Sequence, residues 1–316
     1  MVMYDSPRFV SALGPTGTKS FRLSARKLFN SYGNNAQNIN KDSLYILHAD
    51  KGHTFVQPDQ QGAEALIVAY SAPKGRLRQL FELGIKSHVY VALVIFRDEL
   101  QSTDKNIDYA EIPVDKLQSL PNWHDIVQEI KNHPTIYDIA KRICHGGNYG
   151  LGPETMRKTI LKFSRGAIRL TPLQCKIYLT IYHALFPEIR MWHAIIEARV
   201  RKWRQLENFF GFPRRCEQLI NPTYLRELIS WIPQSTVACI THEAIIELDR
   251  RIKESRDNWL ILNNKHDSFL CQVPDAQLNS GIIVCQHCMQ QELTNQDGVK
   301  FIMRSEVKTS KRWDMN

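Results

Sequence analysis

Hydrophobic positions along the chain fall into two rhythms, and their order predicts the architecture. "TFVQP" (54–58) alternates like a short strand and delivers Asp59 at its end. "GAEALIVAYSA" after it predicts a helix, and "PKGRLRQLFELG" another, opened by Pro73 and closed by Gly84. "HVYVALVIF" (88–96) is apolar throughout and fits a helix or a buried strand equally well. Residues 97–120 are polar and predict a loop-rich insertion. From Pro134 to Asn208 the apolar period is helical, with breaks at 150–153, 166–172 and Pro187. A long helix is predicted from Pro222 to Lys253, kinked at Pro233. Then come two apolar runs, Trp259–Leu262 and Phe269–Val273, with "NNKHDS" between them, which predicts a β-hairpin. "DAQLNSGIIVCQHCMQQEL" predicts a helix and "VKFIMR" a strand. Strands at the two ends and helices between them predict an α+β protein whose sheet is assembled from distant segments.

Composition narrows the class. At 316 residues, 43% hydrophobic and 23% charged, the chain is an ordinary globular sequence. It has no run near the roughly 18 apolar residues that span a bilayer, and its first residues lack a secretory pattern, so a cytoplasmic protein without a membrane partner is expected. The 41 Lys and Arg against 32 Asp and Glu leave a net charge of +9, dispersed along the chain, which suits an extended polyanion. Seven cysteines argue against a disulfide framework. Cys285-Gln-His-Cys288 has the spacing of half a zinc site but no second half, and two free thiols near one helix face are expected instead.

Three constellations carry candidate chemistry. Asp59 and Asp267 each adjoin a β-prone run. On neighbouring strands their carboxylates would meet at a sheet rim able to hold two divalent cations; otherwise they are two independent turn residues. Lys141, His145 and Tyr149 follow i, i+4, i+8 spacing on one helix face, suited to a phosphate at one end and a flat base at the other. The same spacing also suits a half-buried structural face. Gly146 and Gly147 between them weaken a helix, which points to close approach by a ligand or to bending. Arg22, the amides of "NNAQNI" (34–39), Arg226 and Gln234 are suited to phosphates and base edges, or to plain solvation.

Taken in order, these pieces resemble the polymerase module of family A (polymerase I-like) DNA polymerases, of a phage type. "SFRLSARKLFNSYGNNAQNI" is similar to the family's Thr-Gly-Arg-Leu-Ser and Asn-Leu-Gln-Asn-Ile, and "PDQQGAEALIVAY" to motif A, with Asp59 and Glu64 in matching places. "GIKSHVYVALVIF" places His88 at a matched histidine. "AKRICHGGNYG" resembles motif B, "RELISWIPQST" the Arg-x(7)-Gln segment and "KHDSFLCQVP" motif C, His-Asp-Glu. "VKTSKRWDMN" resembles the family's ending with its late Trp.

The resemblance implies template-directed DNA synthesis by two-metal nucleotidyl transfer from a dNTP to a primer 3′-hydroxyl. The alternative is a catalytically weak primer-template DNA-binding module that keeps the fold. It implies a palm from residues 1–72 and 206–316, built on an antiparallel sheet, and helical fingers over 73–205. Asp59 and Asp267 would bind two Mg²⁺ ions, or Mn²⁺, assisted by the Gln60 carbonyl. Glu64 would exclude the ribose 2′-hydroxyl. Lys141 would grip the triphosphate, His88 and His145 would belong to the nucleotide site, and Tyr149 would lie next to the templating base. Arg22, Asn38, Gly150, Arg226, Gln234 and His266 would contact DNA.

The departures carry their own implications. Gln61-Gly62 replaces the motif A Ser-Gln, whose hydrogen bonds are expected to be missing. Ser268 stands at the motif C Glu and His145 at the fingers aromatic. Tyr137 stands at an Arg, so that a triphosphate contact is expected elsewhere, from Arg142 or His133. The resemblance starts within about twenty residues of Met1, which leads to the expectation of no thumb or 3′–5′ exonuclease domain, and of a separate polypeptide carrying them.

Overall fold

The structure is a computed structural model that describes residues 12–14, 17–26 and 35–313. The centre of the Ser20–Ile39 stretch, residues 27–34, and the last three residues of the C-terminal motif lie outside the described residues, as does the N-terminal segment read for a secretory pattern. In chain order the elements are β1 (Ala12–Gly14), β2 (Ser24–Arg26), β3 (His53–Gln60), α1 (Ala63–Ser71), α2 (Arg76–Glu82), α3 (Ser87–Phe96), α4 (Trp123–Asn132), α5 (Ile136–Asn148), α6 (Pro153–Phe163), α7 (Pro172–Leu185) and α8 (Pro187–Trp203). They continue with β4 (Gln205–Glu207), β5 (Pro213–Arg215), α9 (Pro222–Ser255), β6 (Leu260–Lys265), β7 (Ser268–Pro274), α10 (Leu278–Met289), β8 (Gln291–Thr294), β9 (Lys300–Met303) and β10 (Ser305–Ser310). The chain forms two compact units. The first takes the described residues up to Glu64, then 207–212 and 231–313; the second takes 65–206 and 213–230.

The first unit is built on a four-stranded antiparallel sheet in the order β10-β3-β7-β6, so strands from both ends of the chain are interleaved as expected. One face packs α10, which approaches closely enough that a Cβ on Gly281 would lie 2.8 Å from Val273 Cγ1. The other face buries Leu44, Phe55, Leu270 and Trp313, with Ile39, Leu47 and Ala49 packed against them. The late Trp is thus a core residue, and its indole N–H donates to Gln57 Oε1 at 2.8 Å.

The second unit is helical. The ambiguous apolar run resolves as α3, with Val89, Tyr90, Val91, Ala92 and Leu93 all buried. A helix buried on all sides carries no amphipathic period, which is why its pattern does not distinguish helix from strand. Helix α2 begins at Arg76, later than Pro73 suggests, because the buried Glu188 carboxylate accepts the Leu77 N–H at 2.7 Å and fixes the first turn there. Gly84 closes it with φ +71°.

Helix α9 is continuous from Pro222 to Ser255 with Pro233 inside it, in line with the long helix expected there. One further boundary differs from the sequence reading. Helix α10 stops at Met289, and 291–294 form β8, paired with β9 across an Asn295–Val299 turn. The Asn295 side-chain oxygen accepts the N–H of Asp297 and Val299, and Gly298 takes φ +77°, so Asp-Gly turn chemistry overrides the helical continuation.

Candidate active site

Strand β3 ends in Asp59-Gln60, and β7 begins directly after the turn His266-Asp267. Their register pairs Asp59 with Ser268, and the Gln60 N–H donates to the Asp267 carbonyl at 3.1 Å. The two aspartates therefore lie at the same end of the β3–β7 pair, one residue out of register, Asp59 on the strand and Asp267 in the turn. Both are half-buried. Burial raises the Asp267 carboxyl above the ordinary carboxylate range. Its backbone N–H, His266 and Arg22 act the other way, while the Glu64 charge adds to the rise.

The turn is a two-residue hairpin loop. His266 is exposed and holds φ +58°, the left-handed conformation that such turns demand and that a non-glycine residue adopts at a cost. Ser268, in the place of the motif C carboxylate, is buried. Its hydroxyl donates to the Lys265 carbonyl at 3.0 Å and accepts from Gln57 Nε2 at 3.2 Å. It therefore ties the hairpin together rather than presenting an acid.

The Gln60 side chain is buried, with Nε2 donating to Thr241 Oγ1 at 2.8 Å and Oε1 without a hydrogen-bond partner among the described residues, so the amide is part of the core packing. Gln61 is engaged: its amide binds the Glu306 carboxylate of β10, and its N–H donates to the Arg304 carbonyl at 2.9 Å. Glu306 lies directly opposite Asp59 in the β10–β3 register, a neighbour no local sequence signal reveals.

Glu64, in the first turn of α1, pairs with Arg22, whose Nε is buried and has no hydrogen-bond partner among the described residues. Asn38 is exposed at the end of a short 3-10 turn, Ala36–Asn38. That turn is fastened by Gln37, which donates to the Leu23 and Asn264 carbonyls at 3.0 Å each. Gln234 is half-buried on α9.

Among the described residues no three His, Cys, Asp or Glu gather in a group that could hold a metal alone. The donor set at the strand ends is two carboxylates and a carbonyl. That suits Mg²⁺, which binds through one or two carboxylates and completes its shell with water and substrate phosphate. Cys285 and Cys288 are buried free thiols, and contact with Cys271, together with burial, holds the Cys285 thiol well above its usual range.

In the second unit, Lys141 and His145 are exposed on α5. Tyr149 is not on the helix but caps its C-terminus, buried, with its ring edge-on to His145 at 5.0 Å and 87°. Gly146 and Gly147 make room for protein rather than ligand: a Cβ on Gly147 would overlap the Tyr182 ring, and one on Gly146 would lie 3.2 Å from Leu151. Tyr182 in turn donates to Asn148 Oδ1 at 2.5 Å, and the Asn148 carbonyl meets His193 Nε2 at 2.7 Å. Gly150 has φ +67° and lies beside His193 and Arg226, whose guanidinium binds Thr223 Oγ1 at 3.1 Å.

Both stand-ins for the family's Arg are occupied elsewhere. The Arg142 guanidinium stacks 3.8 Å from the centre of the Phe163 ring, and His133 Nδ1 accepts the backbone N–H of Thr135 and Ile136 at the start of α5. The Tyr137 hydroxyl instead lies 3.0 Å from His88 Nε2, the two rings edge-to-face at 4.8 Å and 87°.

Among solved structures the fold is similar to the POL domain of Pol1 from M. smegmatis, described in complex with DNA primer-template and dNTP. The TM-score is 0.70 at 19% sequence identity, over 96% of this chain and 48% of that one. The chain therefore spans about half the length of that structure. No curated protein matches the sequence significantly. Residues 122–315, more than half of the sequence, match the profile described as DNA polymerase family A, and the chain belongs to that family.

Proposed function

We propose that this chain is a template-directed DNA polymerase, transferring a nucleotide from a dNTP to a primer 3′-hydroxyl. The observation that carries the reading is the β3–β7 register, which brings Asp59 beside the Asp267 turn at one strand end. The first unit is read as palm and the second as fingers. The net charge of +9 supports a polyanionic partner, here primer-template DNA. No helix of the described residues is long and apolar enough to cross a membrane.

Asp59, Asp267 and the Gln60 carbonyl would hold two Mg²⁺ ions, or Mn²⁺. When bound, these would polarise the reacting phosphate and neutralise charge on the attacking and leaving oxygens. The chain's own side chains position the reactants. Lys141 meets the triphosphate and stabilises the charge that builds on the leaving pyrophosphate. Glu64, held by Arg22, stands against a 2′-hydroxyl. His145 and Tyr149 offer ring faces and edges to the nucleotide, and Gly150 lets backbone approach the template where a side chain would be strained. Arg22, Asn38, Arg226, Gln234 and His266 supply contacts to phosphates and groove edges.

Primer extension with Mg²⁺ tests the reading. Asp267→Ala abolishes extension and leaves duplex binding largely intact. Equal extension by wild type and variant removes the metal assignment, and duplex binding by a wild type that extends nothing leaves only the DNA-binding module. Adding the product of the neighbouring upstream gene tests the separate thumb-bearing polypeptide, which is dispensable if extension is unchanged.

A further inference from the structure

The positive excess that reads as dispersed in the sequence is densest from Pro153 to Lys176, through α6 and the turn after it. Six basic residues there (Arg157, Lys158, Lys162, Arg165, Arg169 and Lys176) stand against one acidic residue, Glu154, a net +5 of the chain's +9. Glu154 is taken up within its own helix: Arg157 binds both its oxygens, at 3.0 and 2.7 Å, and Lys158 lies at 3.8 Å. Lys162, one turn beyond Lys158, and Arg169 are exposed and make no side-chain hydrogen bond or ion pair with the described residues. Arg165 is exposed between them, held at φ +51° in a turn that its own N–H ties to the Lys162 carbonyl at 3.1 Å. Amid these cations stands Phe163, 61% exposed at the end of α6. The Arg142 guanidinium of α5 covers one face of its ring, with Cζ 3.8 Å from the ring centre, and Asp138 bears on that guanidinium. With so much of the residue exposed and one face covered, the other face of the ring is open to solvent.

We propose that this surface of α6 and its following turn binds single-stranded DNA, with one base stacked on the open face of Phe163 and phosphates held by Lys162, Arg165 and Arg169. Every base has a flat π-face, so an aromatic ring among cations takes a strand with little regard to its sequence. A lone surface phenylalanine needs no explanation, but this one is backed by a cation and sits in the densest positive stretch of the chain. Arg142 is a positioning residue: it fixes the plane of the ring before a strand arrives, so little side-chain freedom is lost on binding. A duplex keeps its base faces inside its own stack and meets only the cations. An acidic polypeptide meets the same cations but brings no flat ring to lay on Phe163. The site goes beyond the polymerase reading, lies wholly within the second unit, and uses none of the residues assigned to the primer-template or the nucleotide.

The test is fluorescence anisotropy of the whole chain with a labelled single-stranded oligothymidylate and with a blunt duplex, over a range of salt concentrations. Phe163→Ala is expected to weaken the oligothymidylate about tenfold, the size of one lost base–aromatic stack, and to leave the duplex unchanged. Phe163→Leu keeps the apolar bulk and loses as much, whereas Phe163→Trp binds at least as tightly as wild type. Lys162→Gln combined with Arg169→Gln lowers the slope of log K against log salt by about 1.4, at ~0.7 for each single-strand phosphate contact. A charge-matched control at two exposed lysines elsewhere, Lys51→Gln combined with Lys74→Gln, keeps the wild-type slope. Wild-type affinity for the oligothymidylate in Phe163→Ala, or an equal loss for the duplex, overturns the inference. So does a wild type that binds polyglutamate and not the oligothymidylate, which makes an acidic polypeptide the occupant. If wild type extends no primer while Phe163→Ala still loses the single strand, the polymerase reading falls and this site stands.

Discussion

Gly147 offers a test in which the sign of the effect decides. In an unobstructed helix, Gly→Ala stabilises by about 1 kcal/mol, because Ala restricts the unfolded chain and costs nothing in the helix. At Gly147 the added Cβ would sit inside the Tyr182 ring, within 2.9 Å of Cγ and nearer still to Cδ1 and Cε1. Tyr182 is fully buried, so its ring has no room to swing away. Forcing a carbon into such a core costs about 1–3 kcal/mol. Displacing the ring also breaks its hydrogen bond to Asn148 and leaves a buried amide oxygen unpaired, a further ~1–2 kcal/mol. Set against the intrinsic gain, the net expectation is a loss of roughly 1–4 kcal/mol. Gly146→Ala is the internal control. Its Cβ would meet Leu151 Cδ2 at 3.2 Å and Leu151 Cβ at 3.3 Å, tight contacts that a shift of a few tenths of an ångström relieves and that offset the intrinsic gain, so the change stays within about 0.5 kcal/mol. Urea unfolding of both variants, followed by circular dichroism, measures the pair. A Gly147→Ala midpoint at or above wild type would refute the packing argument and reopen close approach by a ligand as the reason for the glycines.

Two other predictions concern ionisable groups. Glu64→Ala is expected to relax ribonucleotide exclusion, measured as the ratio of dNTP to NTP incorporation; unchanged selectivity removes the gate role. His88 ties stability to pH. Its folded pKa of about 4 lies below the unfolded 6.5, so the unfolded chain binds the extra proton, and stability falls as pH drops from 6.5 toward 4. The loss attributable to this group is about 2 kcal/mol at pH 5 and about 3 kcal/mol below pH 4. His88→Gln flattens that part of the stability profile, and an unchanged slope in the variant refutes the assignment.

Much of the architecture was legible because it rests on local signals. The two runs flanking "NNKHDS" could hardly be anything but a hairpin, and Gly84, Pro153, Pro172 and Pro187 mark helix ends as their backbone chemistry requires. What stayed hidden depends on partners far away in sequence. Glu306 opposite Asp59 is a matter of strand register between chain ends. The start of α2 is set by Glu188, more than a hundred residues later. Arg142 and His133 looked available to a phosphate because a sequence does not show Phe163 beneath one or the α5 N-terminus against the other. The glycines of α5 were expected to admit a ligand or a bend, but Gly147 makes room for the Tyr182 ring and Gly146 for Leu151.

The bonds joining Tyr182, Asn148 and His193 have a dynamic consequence. The last turn of a helix normally frays first, because its carbonyls lack intrahelical partners. Here the terminal residue of α5 is clasped by a phenol from α7 at its side chain and by an imidazole from α8 at its carbonyl. Amide protons in this turn should exchange with deuterium as slowly as those in the middle of the helix. The end that carries Tyr149 would then start each encounter already ordered, with little entropy left to lose.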